Sequence, residues 1–393
     1  MNLTTYYAPT RITFGPNAED KVGEEIKKEG KKRVLIHYGS NRIEKSGLLA
    51  KVTKKLDEDN IAYILLPGVV PNPRLSLVRK GIELGKKENI DFILALGGGS
   101  VIDSSKAIGY GLKYDGDVWD FYSKKAIPKK SVGVGAILTM AAAGSEMSDS
   151  SVITNDDGAL KRGCNSDVCR LKFALLNPEL TYTLPPYETS CAIVDIQMHT
   201  MERYFIKDYS LPLTEDISLE FIKNIKEQGI EALKNPTSYS ARASLMWGSS
   251  ISHNGLMALG NSARGDWATH QIEHELSGKY DIAHGAGLAI VWPAWARYTL
   301  SYKPEKFAHL GYRVFNLEKT NDSLKDGERT IETFISFYKS INIPTHLSDL
   351  NIYPTEDDIE ELASKASFFS TRTLGDIRVL EKDDIKEIYR LMR

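Results

Sequence analysis

Three cysteines are all that the 393 residues contain. Cys164, Cys169 and Cys191 form no regular framework, and Cys164 and Cys169 have no nearby His or Cys to complete a zinc site. A sparse, odd count of this kind fits free thiols in a reducing, cytoplasmic setting. An excess of one charge is also missing: 50 basic residues against 52 acidic ones leave a formal net charge of -2. That balance gives no electrostatic basis for binding nucleic acid or an anionic membrane. No apolar run approaches the roughly 20 residues that cross a bilayer. The opening MNLTTYYAPTRITFG has neither the basic nor the apolar segment of a secretory leader. There is no internal repeat, no low-complexity tract and no G-x-G-x-x-G fingerprint. What remains is an ordinary globular composition, 42% hydrophobic and 26% charged, on a chain long enough for two domains and a large core.

The first half alternates short apolar runs with amphipathic segments. RVLIHY (33–38), AYILLP (62–67), DFILAL (91–96) and SVGVGAILT (131–139) predict strands. Between them, residues 45–60, 75–88 and 100–109 carry helical spacing of apolar positions. Strands separated by helices of this length imply right-handed crossovers and a parallel sheet. From Tyr187 onward helical patterns dominate, at 187–208, 214–233, 239–259, 266–277, 327–341, 355–366 and 382–393. The segment NPELTYTLPP (177–186), with three prolines, marks the change of pattern. The expected architecture is therefore an α/β nucleotide-binding domain with a Rossmann-like parallel sheet over 1–184, and an all-helical domain over 185–393. A ligand site in the cleft between them is the default expectation.

Gly97, Gly98, Gly99 and Ser100 follow a strand and open a helix. Glycines there allow close backbone approach, and the helix N-terminus offers free N–H groups and partial positive charge, which suits a pyrophosphate. A second turn, Gly39-Ser40-Asn41-Arg42, follows the first interior strand. Dinucleotide folds commonly place an acid there for the ribose 2′-hydroxyl. Here the turn carries small and polar groups and Arg42 instead, which favours a 2′-phosphate and hence NADP(H); Glu44 nearby weakens the argument.

Five of the eight histidines, His199, His253, His270, His274 and His284, fall between residues 199 and 284. Asp195 and His199 are an i, i+4 pair on a predicted helix, as are His270 and His274, so each pair shares a face. His270 and His284 lie fourteen residues apart, roughly 21 Å along an unbroken helix. They share an ion only if the chain reverses, and Ser277-Gly278 followed by Asp281 predicts a helix end there. One Asp with three His is a reasonable set for Fe(II), Zn(II) or Ni(II), leaving a position open for a substrate oxygen. His253, His37, His309 and His346 read as structural.

The segment DWATHQIEHELSGKYDIAHGAGLAIVWPAW (266–295) resembles the iron-containing, group III alcohol dehydrogenases, and looks most like their NADPH-dependent butanol dehydrogenase-like branch. GGGSVIDSSKAI (97–108), ILTMAAAGSEMSDSSVITN (137–155), NPELTYTLP (177–185), DIQMHTMERY (195–204), TRITFGP (10–16) and PNP (71–73) support the resemblance. It implies a dehydroquinate synthase-like architecture, a homodimer, and Asp195, His199, His270 and His284 as ligands of a divalent metal. It implies that His274 lines the site without being a primary ligand. It further implies cofactor contacts at Asn72, Gly98, Gly99, Ser100, Asp103, Thr139, Ser148, Lys161, Leu180 and Thr183, with Gly39 replacing the acid of NAD-preferring relatives. Two positions depart from the family pattern: Ala143 stands where Thr is frequent before Gly-Ser-Glu, and Ser148 where Asn is frequent.

The expected activity is reduction of a small aldehyde by NADP(H), with carbonyl polarisation by Fe(II) or Zn(II) and proton transfer through His274. Competing expectations are an NAD-dependent polyol or glycerol-type dehydrogenase, and a catalytically silent metal- or nucleotide-binding protein. A lyase resembling dehydroquinate synthase would need a cluster of Lys and Arg for its acidic substrate. Trp119, Phe121, Tyr122, Trp247 and Trp267 are candidates for an apolar substrate wall, with core packing an equal alternative.

Overall fold

The computed structural model describes residues 3–39 and 41–393. Ser40, one of the expected cofactor contacts, lies outside the described residues. The chain divides into two compact units: Tyr7–Leu184, and Pro185–Arg393 together with residues 3–6. The N-terminal residues thus belong with the helical unit, although the sequence pattern groups them with the first. In keeping, Tyr6 Oη accepts a hydrogen bond from Asn254 and Thr4 Oγ1 accepts one from the Gly260 N–H.

The α/β unit is built on a six-stranded parallel sheet of β1 (Arg11–Phe14), β2 (Arg33–Tyr38), β3 (Ala62–Leu66), β4 (Phe92–Gly97), β5 (Gly133–Leu138) and a last strand, Phe173–Leu176. A separate antiparallel hairpin, β6 (Ser150–Asn155) and β7 (Leu160–Asn165), precedes that last strand, β8. The sheet order is β1-β8-β5-β4-β2-β3, and every pairing in it is parallel. The central strands read as continuous apolar runs because both faces are covered: β4 is buried at all six positions. The four long apolar runs match β2 to β5 within two residues at each end. β1, β8 and the hairpin were not legible as strands. β1 and β8 have only four residues each, and the hairpin's LKRGCN carries no apolar alternation.

The three longest helices described in this unit are α1 (Leu48–Glu58), α2 (Leu75–Lys87) and α3 (Gly99–Gly111). α1 and α2 are amphipathic, whereas α3 is buried along nearly its whole length. His37, on β2, is wholly buried. Its Nδ1–H donates to the Leu66 carbonyl at 2.8 Å, and its Nε2 accepts from Ser104 of α3 at 2.8 Å. Burial drives its pKa down to about 4, so it is neutral and structural.

The second unit contains α4 (Pro186–Tyr204), α5 (Pro212–Lys234), α6 (Tyr239–His253), α7 (Ala268–Tyr280), α8 (His284–Thr299), α9 (Pro304–Phe315), α10 (Ser323–Ser340), α11 (Glu356–Ala366) and α12 (Lys382–Arg390). Its core gathers apolar side chains from all nine, among them Trp292, Trp295, Phe307, Phe334 and Tyr338. The helix expected over 239–259 stops at His253, because Gly255 takes a left-handed turn (φ 95°). α8 lies outside the expected set: it is apolar all round and contains Pro293, so it shows no amphipathic period. α9 is amphipathic with Pro304 in its first turn, a signal that was present in the sequence but passed over. No helix among the described residues is long and apolar enough to cross a membrane. All three cysteines are buried free thiols.

Candidate metal centre and cofactor cavity

α4 is buried at every position from Thr189 to Tyr204. Asp195 and His199, one turn apart on it, are 4% and 3% exposed. α7 brings in His270, whose ring bonds Glu202 of α4. It ends at Tyr280, where Asp281 adopts a left-handed conformation (φ 53°), and the chain reverses into α8, whose first residue is His284. The reversal required for a shared site is therefore present, three residues beyond Ser277. Two glycines make it fit. A Cβ on Gly285 would lie 2.1 Å from the Cys191 carbonyl oxygen, and one on Gly287 would lie 2.7 Å from Glu273 Oε1. Without side chains at these positions, α8 can lie directly on α4 and α7.

The three imidazoles converge on a single carboxylate oxygen. Asp195 Oδ1 is 3.4 Å from His199 Nδ1, 3.8 Å from His270 Nε2 and 3.8 Å from His284 Nε2. Ligand bonds of about 2.1 Å in a tetrahedral site place donor atoms about 3.4 Å apart; Asp195, His199 and His270 offer ligand-type atoms within 4.8 Å of one another, whereas His284, 3.8 Å from Asp195, groups in that sense with Glu273 and His274. Asp195 Oδ1, His199 Nδ1 and His270 Nε2 are buried and make no hydrogen bond. Buried polar atoms are ordinarily satisfied, and three neighbouring exceptions of ligand type fit a divalent cation.

The far sides of two rings are fixed by carboxylates that sequence reasoning did not single out. Glu202 Oε1 accepts from His270 Nδ1 at 3.0 Å and from the His270 backbone N–H at 3.0 Å. Glu273 bonds His284 Nδ1 through Oε2, and its Oε1 accepts from Ser277. These contacts turn each Nδ1 toward its carboxylate and each Nε2 toward Asp195. The signal for Glu202 was its i+7 spacing from Asp195 on the same helix face. Burial pushes the His270 pKa down, but Asp195 and Glu202 outweigh it and hold it up at about 9. His199 is driven well below its ordinary value by burial and then by the neighbouring His253, His270 and Arg203.

His274 is buried one turn beyond His270, and its ring centroid is 5.8 Å from that of His284. It can join Glu273 and His284 in a second cluster of ligand-type atoms, but not Asp195. His253 is closer to the centre than its structural reading implied, with its ring edge-on to His199 at 4.1 Å. Within the helical unit, Trp267 of the candidate apolar wall lies beside these residues: its ring centroid is 5.4 Å from that of His270, and the Arg203 guanidinium lies over the indole, 4.5 Å from its centroid. Trp119, Phe121 and Tyr122 are in the α/β unit, and Trp247 is exposed on α6.

In the α/β unit, a cavity of about 820 Å³ is lined by Gly39, Asn41, Arg42, Lys45, Ser46, residues 67–70 and Thr183. Two cations line it, and no Asp or Glu is among the described lining residues. Glu44, the acid that clouded the sequence argument, accepts from the Tyr38 hydroxyl at 2.8 Å. At the other turn, Gly98 caps α3 without any side-chain cap, and the first turn holds no acid. The amide groups at Gly99 and Ser100 therefore lie in an uncapped first turn of the kind that suits an anion. The Thr139 N–H donates to the Gly97 carbonyl beside them. Asn72 is buried in a left-handed conformation (φ 54°) at the Pro-Asn-Pro turn.

The remaining expected cofactor contacts have roles inside the unit. Asp103 accepts from Ser145 Oγ and the Val152 N–H, and burial raises its pKa against the opposing pull of Lys106. Ser148 is buried and bonded to Lys106, Lys161 is buried on β7, and Leu180 packs against the sheet core.

Fold and site together describe a nicotinamide-type α/β unit joined in one chain to a helical unit with a His-rich metal cluster. The sequence model described as "Iron-containing alcohol dehydrogenase" matches residues 9–178, and that for the C-terminal part of the same family matches residues 189–392. The chain belongs to the iron-containing alcohol dehydrogenase family. It is 39% identical over 386 residues to the NADH-dependent butanol dehydrogenase A of Clostridium acetobutylicum, covering 98% of each chain. It is 31% identical over 397 residues to the NADPH-dependent aldehyde reductase YqhD of Escherichia coli, covering all of both. Among solved structures, the NADH-dependent butanol dehydrogenase A of Thermotoga maritima superposes with a TM-score of 0.95 at 36% identity, covering 100% of this chain and 99% of that one. Family membership implies a nicotinamide cofactor and a divalent metal.

Proposed function

We propose that the protein interconverts a short straight-chain aldehyde, of the butyraldehyde type, and its primary alcohol. NADP(H) carries the hydride, and a divalent ion, Fe(II) or Zn(II), is held by Asp195, His199, His270 and His284. The observation that carries this reading is the convergence of three imidazole nitrogens within 3.8 Å of Asp195 Oδ1, three of the four atoms buried without hydrogen bonds. The names of the butanol dehydrogenase and aldehyde reductase relatives support the substrate class.

Lewis-acid polarisation of a carbonyl oxygen is the chemistry such an ion supplies when bound, and hydride transfer to the carbonyl carbon is that of the nicotinamide. The chain's own residues do the rest. Asp195 contributes the single negative charge of the ligand set, so the site stays electrophilic. Glu202 and Glu273 fix the tautomers of His270 and His284 and hold their rings in place. His274, one turn from His270, exchanges the proton of the hydroxyl product, since an imidazole nitrogen can both donate and accept a proton. The open N-terminus of α3 binds the pyrophosphate, and Arg42 with Lys45 binds the 2′-phosphate.

A second reading, NADH as carrier, is favoured by the cofactor named for the Clostridium and Thermotoga relatives. One experiment separates the readings. Metal-stripped protein is reconstituted anaerobically with Fe(II) or Zn(II) and assayed on aldehydes from acetaldehyde to hexanal with NADPH or NADH. The expected result is turnover only after reconstitution, with the higher kcat/KM for NADPH. A higher kcat/KM for NADH establishes the second reading. Binding of metal and NADPH without turnover of any aldehyde would leave a silent binding protein.

A further inference from the structure

We infer that Lys106 is a positioning residue for the cofactor, acting through the 140–150 loop; the inference rests on the reading of the Gly98–Gly99 turn as the pyrophosphate site. Lys106 is on α3 and is fully buried. Its ammonium reaches five oxygens: the Ser145, Ser148 and Ser150 carbonyls at 2.7, 3.1 and 2.7 Å, and the Ser145 and Ser148 hydroxyls at 3.2 Å each. Asp103, one turn earlier, holds the same stretch by Ser145 Oγ and the Val152 N–H. Two charged side chains on one turn of a buried helix are thus both committed to fixing a single connection.

Burying an ammonium is costly unless its protons are met, and an ordinary surface loop needs no such anchor. The loop held this way is the one packed on the glycine turn. A Cβ on Gly98 would come within 3.0 Å of Met140 Cβ, and one on Gly99 within 2.9 Å of Ala143 Cβ. α3 therefore carries the anion-binding N-terminus at one end and, two turns later, the residues that clamp the loop against it. Lys106 fixes the geometry of the site without touching the cofactor.

The test uses metal-loaded full-length Lys106→Met, with NADPH affinity read by fluorescence titration and steady-state constants measured in parallel. Loss of the clamp is expected to raise the NADPH Kd and KM about ten- to hundredfold. Metal content, and the aldehyde KM at saturating NADPH, should stay at wild-type values, a split that general destabilisation would not produce. Folded Lys106→Met with wild-type NADPH affinity overturns the inference. If that variant does not fold, Ser145→Ala, which keeps the lysine and removes the bridge to Asp103, decides: an NADPH Kd raised severalfold supports the clamp, and an unchanged one overturns it. Failure of the wild-type protein to bind NADPH or NADH at all would instead remove the underlying cofactor reading.

Discussion

Glu202 offers the sharpest quantitative test of the proposed metal centre, because it bonds His270, a proposed ligand, and is not itself in the proposed ligand set. Its Oε1 accepts two buried hydrogen bonds, from His270 Nδ1 and the His270 backbone N–H, both at 3.0 Å. In Glu202→Ala without metal, the ring can still direct a proton toward Asp195, whose Oδ1 is 3.8 Å from Nε2. Loading the ion needs that nitrogen's lone pair, so the remaining proton is confined to Nδ1 with no acceptor. A buried donor left unsatisfied costs about 1–3 kcal/mol, which is about 5- to 150-fold in affinity. Second-sphere carboxylates lie in the same range, about 10- to 100-fold. Glu202→Gln, which retains one acceptor oxygen but no charge, should fall between Ala and wild type. The assay is competition between metal-free protein and a chelator of known affinity, with circular dichroism confirming the fold. Wild-type metal affinity in folded Glu202→Ala would refute the argument that Glu202 sets the tautomer of His270.

Three further outcomes follow from the same geometry. His270→Ala should lose metal and activity together, whereas His274→Ala should retain one metal per chain and lose rate; full rate in His274→Ala would remove it from the chemistry. Gly39→Asp would place a carboxylate in the cavity lined by Arg42 and Lys45, with its Cβ 3.1 Å from the Val69 carbonyl. It should raise the KM for NADPH at least about tenfold relative to NADH through like-charge repulsion, and an unchanged ratio would place the 2′-phosphate elsewhere. His37 sets an acid limit. Its pKa falls from 6.5 to about 4 on folding, so the unfolded chain binds the proton first. Stability is therefore full above pH 6.5 and is lost as pH falls toward 4, by up to about 3 kcal/mol. Denaturant midpoints of wild type and His37→Gln, which cannot titrate, should converge over that interval; parallel curves would contradict the assignment.

Much of this was legible in the sequence, for physical reasons that differ by region. The central strands announce themselves because a parallel sheet covered on both faces demands unbroken apolar runs such as RVLIHY and DFILAL. Asp195 with His199 was readable from helical spacing alone. The short edge strand β1 and the all-apolar helix α8 lack the periodicity that such reading depends on. The carboxylates behind His270 and His284 were invisible for another reason: Glu202 and Glu273 look like any helix glutamate until the fold shows that they are buried against an imidazole. The same holds for Lys106. Charged residues on predicted helices default to the solvent face, and only tertiary packing shows this one inside, bonded to three carbonyls. Asp103 and Ser148, expected at the cofactor by resemblance, are also bonded within the 140–152 segment and its Lys106 anchor, which no local pattern signals.

The central claim is that one divalent ion is shared by Asp195, His199, His270 and His284. Anomalous diffraction from crystals of the reconstituted protein, collected at the edge of the loaded metal, tests it most directly. The account predicts a single peak within about 2.0–2.2 Å of one oxygen of Asp195 and one nitrogen of each histidine. A peak lying instead among Glu273, His274 and His284, or four side chains that turn away from one another in the loaded protein, would contradict it.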